Sequence, residues 1–270
     1  MVSLQPKFRE EQVPIIISFI RHHHRDSGAN GLVVGMSGGV DSSLVAKLCV
    51  EAVGPAKVVG VWSGEGPAEG QDHDDARDWA RALGISLRTY DIAPLVASFG
   101  HGLEIKGTSR VALGNVKARV RMIILYYIAN TEGRLVIGTG NKSEIAMGYF
   151  TVFGDGGADF LPIGDLYKTQ VREMASFLGL PKRIIDKVPT AGLWPGQTDE
   201  GELGIAYPDL DRVLLGIELH LTPEEVAAQS GVPLAKVHDI EALVARSVHK
   251  RKTPLIPKIG IRTFGLDWRE

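Results

Sequence analysis

The fold follows from one stretch of the sequence, Gly35-Met36-Ser37-Gly38-Gly39-Val40-Asp41-Ser42-Ser43. The apolar run at residues 32–35 predicts a buried β-strand before it, and the apolar pattern at residues 41–52 predicts a helix after it. Glycines let the backbone turn tightly, so that its N–H groups approach an anion, and the N-terminus of the helix adds partial positive charge. The stretch therefore predicts a phosphate-binding loop between a strand and a helix.

Two common phosphate-binding loops do not match this stretch. A Walker loop requires Gly-Lys-Ser/Thr, and no such triplet follows the glycines. The dinucleotide fingerprint requires a third glycine, whose position holds another residue here. A strand-to-helix turn that is rich in small residues and binds nothing is the alternative interpretation.

Strand and helix patterns alternate along the first two-thirds of the chain, which is typical of a doubly wound parallel α/β sheet. Further strands are predicted at residues 57–62, 85–92 and 135–137, and further helices at residues 72–83, from Asn115 as N-cap, and at residues 165–178 with Asp165 as N-cap. One domain is predicted for residues 1–270. An N-terminal helix at about residues 7–25 and C-terminal helices at about residues 208–247 are expected to pack on it.

The connections between strands predict where a ligand binds. Right-handed crossovers place the second and third strands on one side of the first, and the long excursion over residues 93–134 returns the fourth strand on the other side. Ligands bind beyond the carboxyl ends of strands where the order reverses. The phosphate loop and residues 138–144 meet there, and each supplies one carboxylate, Asp41 and Glu144. Two carboxylates beside a triphosphate suit Mg²⁺, although either acid could instead cap a helix.

Composition excludes several classes of protein. Hydrophobic residues make up 44% of the 270 residues and charged residues 23%, as in ordinary globular proteins. The formal net charge of −2 gives no electrostatic reason to expect nucleic-acid binding, and no apolar run is long enough to predict a membrane span. The single cysteine, Cys49, has no partner for an internal disulfide, so a cytoplasmic location is the default expectation.

Two further motifs have simpler interpretations than binding sites. Residues 222–244 carry two helical patterns around Gly231, like a DNA-binding helix-turn-helix, but their acidic residues favour a pair of packing helices. His22-His23-His24 is interpreted as the polar end of a helix rather than as a metal site.

The phosphate loop resembles the pyrophosphate loop of the N-type ATP pyrophosphatases, Ser-Gly-Gly-x-Asp-Ser. This resemblance implies that ATP is cut between its α- and β-phosphates, with AMP transferred and pyrophosphate retained. Further blocks resemble ammonia-dependent NAD synthetase, in that family's order: Gly114-Asn115-Val116-Lys117-Ala118-Arg119-Val120-Arg121-Met122, residues 138–144, Gly154-Asp155-Gly156-Gly157-Ala158-Asp159, Pro162-Ile163-Gly164-Asp165-Leu166-Tyr167-Lys168-Thr169, Gln197-Thr198-Asp199-Glu200 and His249-Lys250-Arg251.

The resemblance implies the fold of the ATP pyrophosphatases and a role for each matching residue. The implied ATP-binding positions are Gly35, Met36, Ser37, Gly38, Gly39, Val40, Asp41, Ser42, Thr139, Lys168 and Thr190. The implied Mg²⁺ ligands are Asp41 and Glu144, and the implied contacts to deamido-NAD⁺ are Arg119, Asp159, His249 and Lys250. Asp41, Lys168 and Asp159 are the implied catalytic residues.

The implied reaction joins deamido-NAD⁺, ATP and ammonia through an adenylated intermediate to give NAD⁺, AMP and pyrophosphate. Asp159 would orient ammonia or accept its proton, with a role in binding alone as the alternative. The loop at residues 193–204 would act as a lid that excludes water. The family is typically homodimeric, and a separate glutaminase partner is compatible with the sequence. One departure concerns the dinucleotide: the family often has a lysine where Val152 stands here.

Two rival functions remain open at this point. A different amidating or thiolating pyrophosphatase shares the phosphate loop, but thiolation normally uses cysteine pairs and Cys49 stands alone. A nucleotide sensor without catalysis is the second rival, and the presence of both Asp41 and Glu144 argues against it.

Overall fold

A parallel four-stranded sheet forms the centre of the protein in a computed structural model, which describes residues 4–102 and 109–261. Its strands are β1 (Gly31–Gly35), β2 (Val58–Gly64), β3 (Ser86–Asp91) and β4 (Arg134–Ile137). The order is β3-β2-β1-β4, which confirms the predicted reversal between the first and fourth strands.

Helices cover both faces of this sheet, as expected for a doubly wound α/β fold. They are α1 (Gln12–Ser27), α2 (Val40–Val53), α3 (Gln71–Leu83), α4 (Ala93–Gly102), α5 (Arg110–Glu132), α6 (Lys142–Met147), α7 (Lys168–Phe177), α8 (Lys182–Ile185), α9 (Asp199–Leu203), α10 (Tyr207–Glu218), α11 (Pro223–Ser230) and α12 (Leu234–Arg246). Short 3₁₀ turns lie at Pro55–Lys57 and Val248–Arg251. Within the described residues, no helix is both long and apolar enough to span a membrane.

Strand β1 is buried on both sides because its side chains alternate between two hydrophobic clusters. Leu32 and Val34 pack with α1, α2 and α7, whereas Val33 packs with Ile128 and Ala129 of α5. A continuous apolar run of this kind is what a central parallel strand requires. The helices on both faces thus fix the position of the loop that follows β1.

The C-terminal helices form a separate hydrophobic cluster beside α6 and α7. Tyr207, Leu210 and Leu214 of α10 pack with Val226 of α11 and Val237 of α12. Because α10 and α11 approach closely, a methyl group on Gly216 would lie only 2.6 Å from Val226 Cγ2. Helices α11 and α12, which form the helix-turn-helix pattern, therefore pack in this cluster.

Three predicted local features are wrong. Asn115 lies inside α5, which begins at Arg110 with the Ser109 hydroxyl accepting a hydrogen bond from the N–H of Ala112. Helix α7 begins at Lys168 rather than at Asp165, because the Gln170 side chain satisfies the N–H of Tyr167. The segment at residues 193–204, predicted to be entirely loop, contains the short helix α9.

Candidate active site

A cavity of about 780 Å³ opens at the carboxyl ends of β1 and β4. The phosphate loop forms one wall, and Gly138 and Thr139 after β4 form the adjacent wall. Residues 187–195 cover another side, while Lys168 and Glu144 reach it from α7 and α6. The cavity therefore lies where the strand order reverses.

The phosphate loop is held in shape by its own serines. The hydroxyls of Ser37 and Ser42 lie 3.1 Å apart, and Ser42 Oγ also donates to the carbonyl of Gly39. The N–H of Gly39 donates to Ser37 Oγ at 3.2 Å. These contacts within the loop fix its shape, and a fixed shape lowers the entropic cost of binding.

Gly38 cannot be replaced without strain. Its φ angle is +81°, and a methyl group at its Cα would lie 2.3 Å from the carbonyl oxygen of Asp72. We expect Gly38→Ala to destabilise the protein by roughly 3 kcal/mol, since it combines left-handed backbone strain with overpacking against rigid backbone. Gly179→Ala is the matched control, because Gly179 has a φ of +73° with open space around it.

Urea denaturation of both alanine variants measures the difference. The control should lose only about 1–2 kcal/mol from backbone strain. Equal losses in the two variants would mean that Asp72 moves away and that the close approach of α3 to the loop is not needed.

Lys168 lies between two carboxylates at the base of the cavity. Its ammonium Nζ donates to Asp41 Oδ2 at 2.5 Å and to Glu144 Oε1 at 3.3 Å. Asn141 Nδ2 donates to the other oxygen of Asp41 at 3.0 Å, and the backbone N–H of Asn141 donates to Glu144 Oε2. Asp41 from α2, Glu144 from α6 and Lys168 from α7 thus converge at one point.

For both Lys168 and Glu144, burial and the opposite charge nearby shift the pKa in opposite directions. Burial lowers the pKa of Lys168, but the charges of Asp41 and Glu144 outweigh it and raise the pKa above its ordinary value. Burial raises the pKa of Glu144, with Lys168 opposing the rise and Asp41 adding to it. Lys168 therefore stays protonated at neutral pH, as a fixed positive charge beside the phosphate loop.

Asp211 of α10 positions the start of α7. This completely buried carboxylate accepts hydrogen bonds from Ser143 Oγ at 2.5 Å and from the N–H of Thr169 at 2.8 Å. Ser143 Oγ in turn accepts from the N–H of Lys168. Sequence reasoning missed Asp211 because it lies in no recognised block and acts only through the folded chain.

Asp199 adds a buried carboxylate to the cavity wall. Its Oδ2 accepts from the hydroxyl of Tyr207, whose ring lies 5.1 Å from Lys168 Nζ. Its Oδ1 is buried and has no hydrogen-bond partner among the described residues. Burial raises the pKa of Asp199, and the positive charge of Lys168 opposes that rise. Asp199 belongs to a recognised block, but the sequence assigned it no role.

Two cations of α5 hold the segment that covers the cavity. Lys117 Nζ donates to Glu65 Oε2 at 2.7 Å and to the carbonyl of Leu193 at 2.8 Å. Arg121 Nη2 donates to the carbonyl of Gly192 at 3.1 Å, and its Nε donates to the carbonyl of Ser63. Both cations lie in the block that contains Arg119, yet only Arg119 was assigned a role from the sequence.

Most of the predicted site residues line this cavity. They are Gly35, Met36, Ser37, Gly39, Val40, Asp41, Ser42, Thr139, Glu144, Lys168, Thr190 and Lys250. Gly38 belongs to the same loop, but its carbonyl points to Lys187, 3.0 Å from that side chain's Nζ. Lys250 Nζ donates to the carbonyls of Gly148 and Phe150.

Three predicted contacts to the dinucleotide lie outside the cavity lining. Arg119 is exposed and donates to the carbonyl of Val152, which also lies outside the lining. His249 is exposed, and its Nδ1 lies 3.0 Å from the carbonyl oxygen of Arg246. Asp159 is exposed, and its carboxylate accepts from the N–H of Val136 and from Tyr126. The structure does not bring these side chains to Lys168.

The carboxylates suit a cation that keeps other ligands. Within residues 4–102 and 109–261, no three His, Cys, Asp or Glu side chains are grouped to hold a metal ion. Asp41 and Glu144 form a pair beside the phosphate loop. Mg²⁺ commonly takes one or two carboxylates and completes its shell with phosphate oxygens and water, so the donor set fits Mg²⁺.

Comparison with known proteins gives a consistent result. The family model described as NAD synthase matches residues 12–254. An NH₃-dependent NAD⁺ synthetase from Methanococcoides burtonii is 48% identical over 90% of this chain and 92% of its own length. A solved NMN synthetase from Francisella tularensis is 36% identical, covers 94% of this chain and all of its own, and has a TM-score of 0.82. An NH₃-dependent NAD synthetase from Campylobacter jejuni is 28% identical over 92% of this chain and 98% of its own, with a TM-score of 0.78.

Proposed function

The chain belongs to the NAD synthase family, and we propose on that premise that it makes NAD⁺ from deamido-NAD⁺, ATP and ammonia, releasing AMP and pyrophosphate. The observation that carries the proposal is the convergence of Asp41, Glu144 and Lys168 on one side of the phosphate loop. That arrangement provides positive charge and backbone donors where pyrophosphate would leave.

The first half-reaction is adenylation. A carboxylate oxygen of the nicotinate ring attacks the α-phosphorus of ATP, and the bond from that phosphorus to the bridging α–β oxygen breaks. The bonding electrons leave with pyrophosphate. The N–H groups of the phosphate loop bind the β- and γ-phosphates, and the Lys168 ammonium faces the charge that develops on the leaving oxygen. Thr139 and Thr190 line the same cavity and complete the ATP site.

Mg²⁺ bound by Asp41 and Glu144 would supply further positive charge for the phosphate oxygens. The support is the donor set itself, two carboxylates from α2 and α6 at one point beside the loop. Asn141 holds the Asp41 side chain in place through its Nδ2.

The second half-reaction is amidation. Ammonia attacks the carbonyl carbon of the adenylate, the carbon–oxygen bond to AMP breaks, and a proton leaves the nitrogen. Water must be excluded because it would hydrolyse the adenylate. We assign that role to the segment at residues 187–204, which Lys117 and Arg121 hold over the cavity. Asp159 lies outside the cavity lining, so its proposed role is binding deamido-NAD⁺ rather than activating ammonia.

A homodimer would place the remaining dinucleotide contacts. Arg119, Ile123 and Tyr127 are spaced four residues apart along α5, so they share one face of that helix. Ile123 and Tyr127 are exposed, as are Leu95 and Phe99 of α4. Exposed apolar patches of this kind mark interaction surfaces. We propose that a second copy covers this face and that deamido-NAD⁺ extends towards Arg119 at its edge.

Ammonium should support NAD⁺ formation, whereas glutamine as the sole nitrogen source should give no more than the background from contaminating ammonium. A glutamine amidase commonly needs a reactive thiolate, and burial raises the pKa of the Cys49 thiol, which is fully enclosed. NAD⁺ is measured by an enzymatic cycling assay with each nitrogen source, in wild type and in Cys49→Ala. Full glutamine-dependent activity that disappears in Cys49→Ala would contradict the proposal.

A separate glutaminase could supply ammonia without changing this result.

We also propose a cytoplasmic location, for which the support is that ATP and ammonia are handled by a chain whose single cysteine is unpaired. The chain's charge balance gives no support for nucleic acid as a partner.

Nicotinate mononucleotide is a second candidate substrate, because a 36% identical structural neighbour is an NMN synthetase. Purified protein with ATP, Mg²⁺ and ammonium is given either deamido-NAD⁺ or the corresponding nicotinate mononucleotide. We expect the higher kcat/KM with deamido-NAD⁺. A higher kcat/KM with the mononucleotide would assign the chain to the other substrate and retain the adenylation chemistry.

A further inference from the structure

Lys187 carries a partly buried charge that the reaction described above does not use. It follows α8 and precedes Thr190 by three residues. Its Nζ donates to the carbonyl of Gly38 at 3.0 Å and to Asp72 Oδ1 at 2.9 Å, and it lies 2.5 Å from Asp75 Oδ2. The side chain is 19% exposed and Asp75 is 1% exposed. One ammonium thus joins the phosphate loop, helix α3 and the segment that covers the cavity.

The position of Asp75 is itself fixed by other donors. Arg183 Nε donates to Asp75 Oδ1 at 2.8 Å, and Gln71 Nε2 donates to the same oxygen at 2.9 Å. Burial raises the pKa of Asp75, but hydrogen bonds from Lys187, Gln71 and Arg183 outweigh burial and lower it, so that the carboxylate stays charged. The ionised carboxylate of Asp75, which Arg183 and Gln71 fix in position, therefore holds the Lys187 ammonium in place.

An ammonium has three N–H bonds, and Lys187 has three oxygen neighbours, on Gly38, Asp72 and Asp75. The contact to Gly38 matters because a trans peptide points its C=O and the following N–H in opposite directions. Fixing the carbonyl of Gly38 towards Lys187 therefore fixes the N–H of Gly39 in the opposite direction, where it donates to Ser37 Oγ at 3.2 Å.

We propose that Lys187 is a positioning residue for pyrophosphate binding: it sets the orientation of the Gly38–Gly39 peptide, so that the N–H of Gly39 donates to Ser37 Oγ and the phosphate loop keeps the shape that binds the β- and γ-phosphates. Gly38 has a left-handed φ of +81° and no side chain, so its backbone is freer to rotate than that of other residues when the contact with Lys187 is lost. In this role Lys187 acts through the loop rather than through a hydrogen bond of its own to the ligand. The inference rests on the proposed function, since it assumes that the loop binds pyrophosphate.

Isothermal titration calorimetry with pyrophosphate and with AMP, both in the presence of Mg²⁺, tests this role. Lys187→Met should weaken pyrophosphate binding about tenfold, because a charged hydrogen bond that orients the loop is lost. AMP, which lacks the β- and γ-phosphates, should bind as it does to wild type. The matched control is Lys182→Met, since Lys182 is exposed and pairs only with Asp186 among the described residues.

Repeating the pyrophosphate titrations at high salt distinguishes a change in the orientation of the loop from the loss of the positive charge of Lys187. At about 1 M KCl the Debye length falls to ~3 Å, so a purely electrostatic difference between wild type and Lys187→Met should collapse. An orientation effect persists, and we expect the tenfold ratio to remain. A ratio near one at high salt, or an equal loss of AMP binding, would overturn the positioning role.

Lys187→Arg keeps the charge and is expected to recover part of the pyrophosphate affinity, and it serves as the second variant if Lys187→Met does not fold. A Lys187→Arg protein that binds pyrophosphate about tenfold more weakly than wild type, the loss expected for Lys187→Met, would count against the role. If wild type itself fails to bind pyrophosphate, the proposed function fails. If wild type binds and Lys187→Met binds equally well, only the present inference fails.

Discussion

Asp41→Asn should lower the rate of pyrophosphate release by about 10²–10³-fold, the range found when one electrostatic contact to a transition state is removed. Asp41 follows the glycines of the phosphate loop, and its two oxygens contact Lys168 and Asn141. The asparagine keeps the shape and removes the charge that would bind Mg²⁺ and orient the Lys168 ammonium. A coupled pyrophosphate assay with deamido-NAD⁺, ATP and ammonium measures the rate.

The control for charge alone is Asp74→Asn. Asp74 lies in the first turn of α3 and pairs with the exposed Arg77, away from the cavity lining. That variant should release pyrophosphate at the wild-type rate. A folded Asp41→Asn protein with a rate within threefold of wild type would contradict the role of Asp41.

Lys168→Met should abolish activity and also destabilise the protein at neutral pH. Removing the ammonium leaves the carboxylates of Asp41 and Glu144 facing each other with no cation between them. Breaking a buried ion pair in this way typically costs about 3–5 kcal/mol, and the partial exposure of both carboxylates places this case at the lower end. The expected loss of rate is at least 10³-fold, because the fixed charge beside the leaving group is gone.

The pH dependence of the free energy of unfolding identifies the cause of the destabilisation in Lys168→Met. Burial raises the pKa of Glu144 in the folded state, so ionising it costs stability as the pH rises above its unfolded value of about 4.5. Without Lys168 that cost grows. Lys168→Met should therefore be more stable near pH 5 than near pH 8 when compared with wild type in urea denaturation at each pH.

Lys142→Met provides the matched control for that experiment. Lys142 is on the neighbouring helix and pairs with Asp165 and Glu218, both of which remain largely accessible to solvent. Its loss should cost little and should show no recovery at low pH. A pH-independent loss of stability in Lys168→Met would mean that packing, rather than the unpaired carboxylates, explains the defect.

The sheet and the phosphate loop could be predicted because local rules determine them. The handedness of the crossovers places β4 beside β1, so Asp41 and Glu144 meet even though 103 positions separate them in sequence, counting from 41 to 144. The starts of α5 and α7 could not be predicted as well. Ser109 and Gln170 satisfy the first N–H groups there, and either Asn115 or Asp165 looked equally suitable from residue type alone.

Residues that act through tertiary contacts could not be identified from the sequence. Asp211 orders Lys168 from a helix that begins 39 residues later, and Lys187 reaches Gly38 across 149 positions. Neither position carries a motif of its own. The resemblance also gave residue types without their surroundings, so it did not indicate that Asp159 satisfies the N–H of Val136 and lies outside the cavity.

Transfer of labelled oxygen tests the central claim, that the nicotinate carboxylate attacks the α-phosphorus, most directly. Deamido-NAD⁺ carrying ¹⁸O in both carboxylate oxygens is turned over with unlabelled ATP, Mg²⁺ and ammonium, and the products are analysed by mass spectrometry. The attacking oxygen stays on phosphorus when ammonia displaces AMP. We therefore expect one ¹⁸O in every AMP, one in the amide of NAD⁺ and none in pyrophosphate. Unlabelled AMP, or label in a released phosphate or pyrophosphate, would contradict adenylation of the carboxylate.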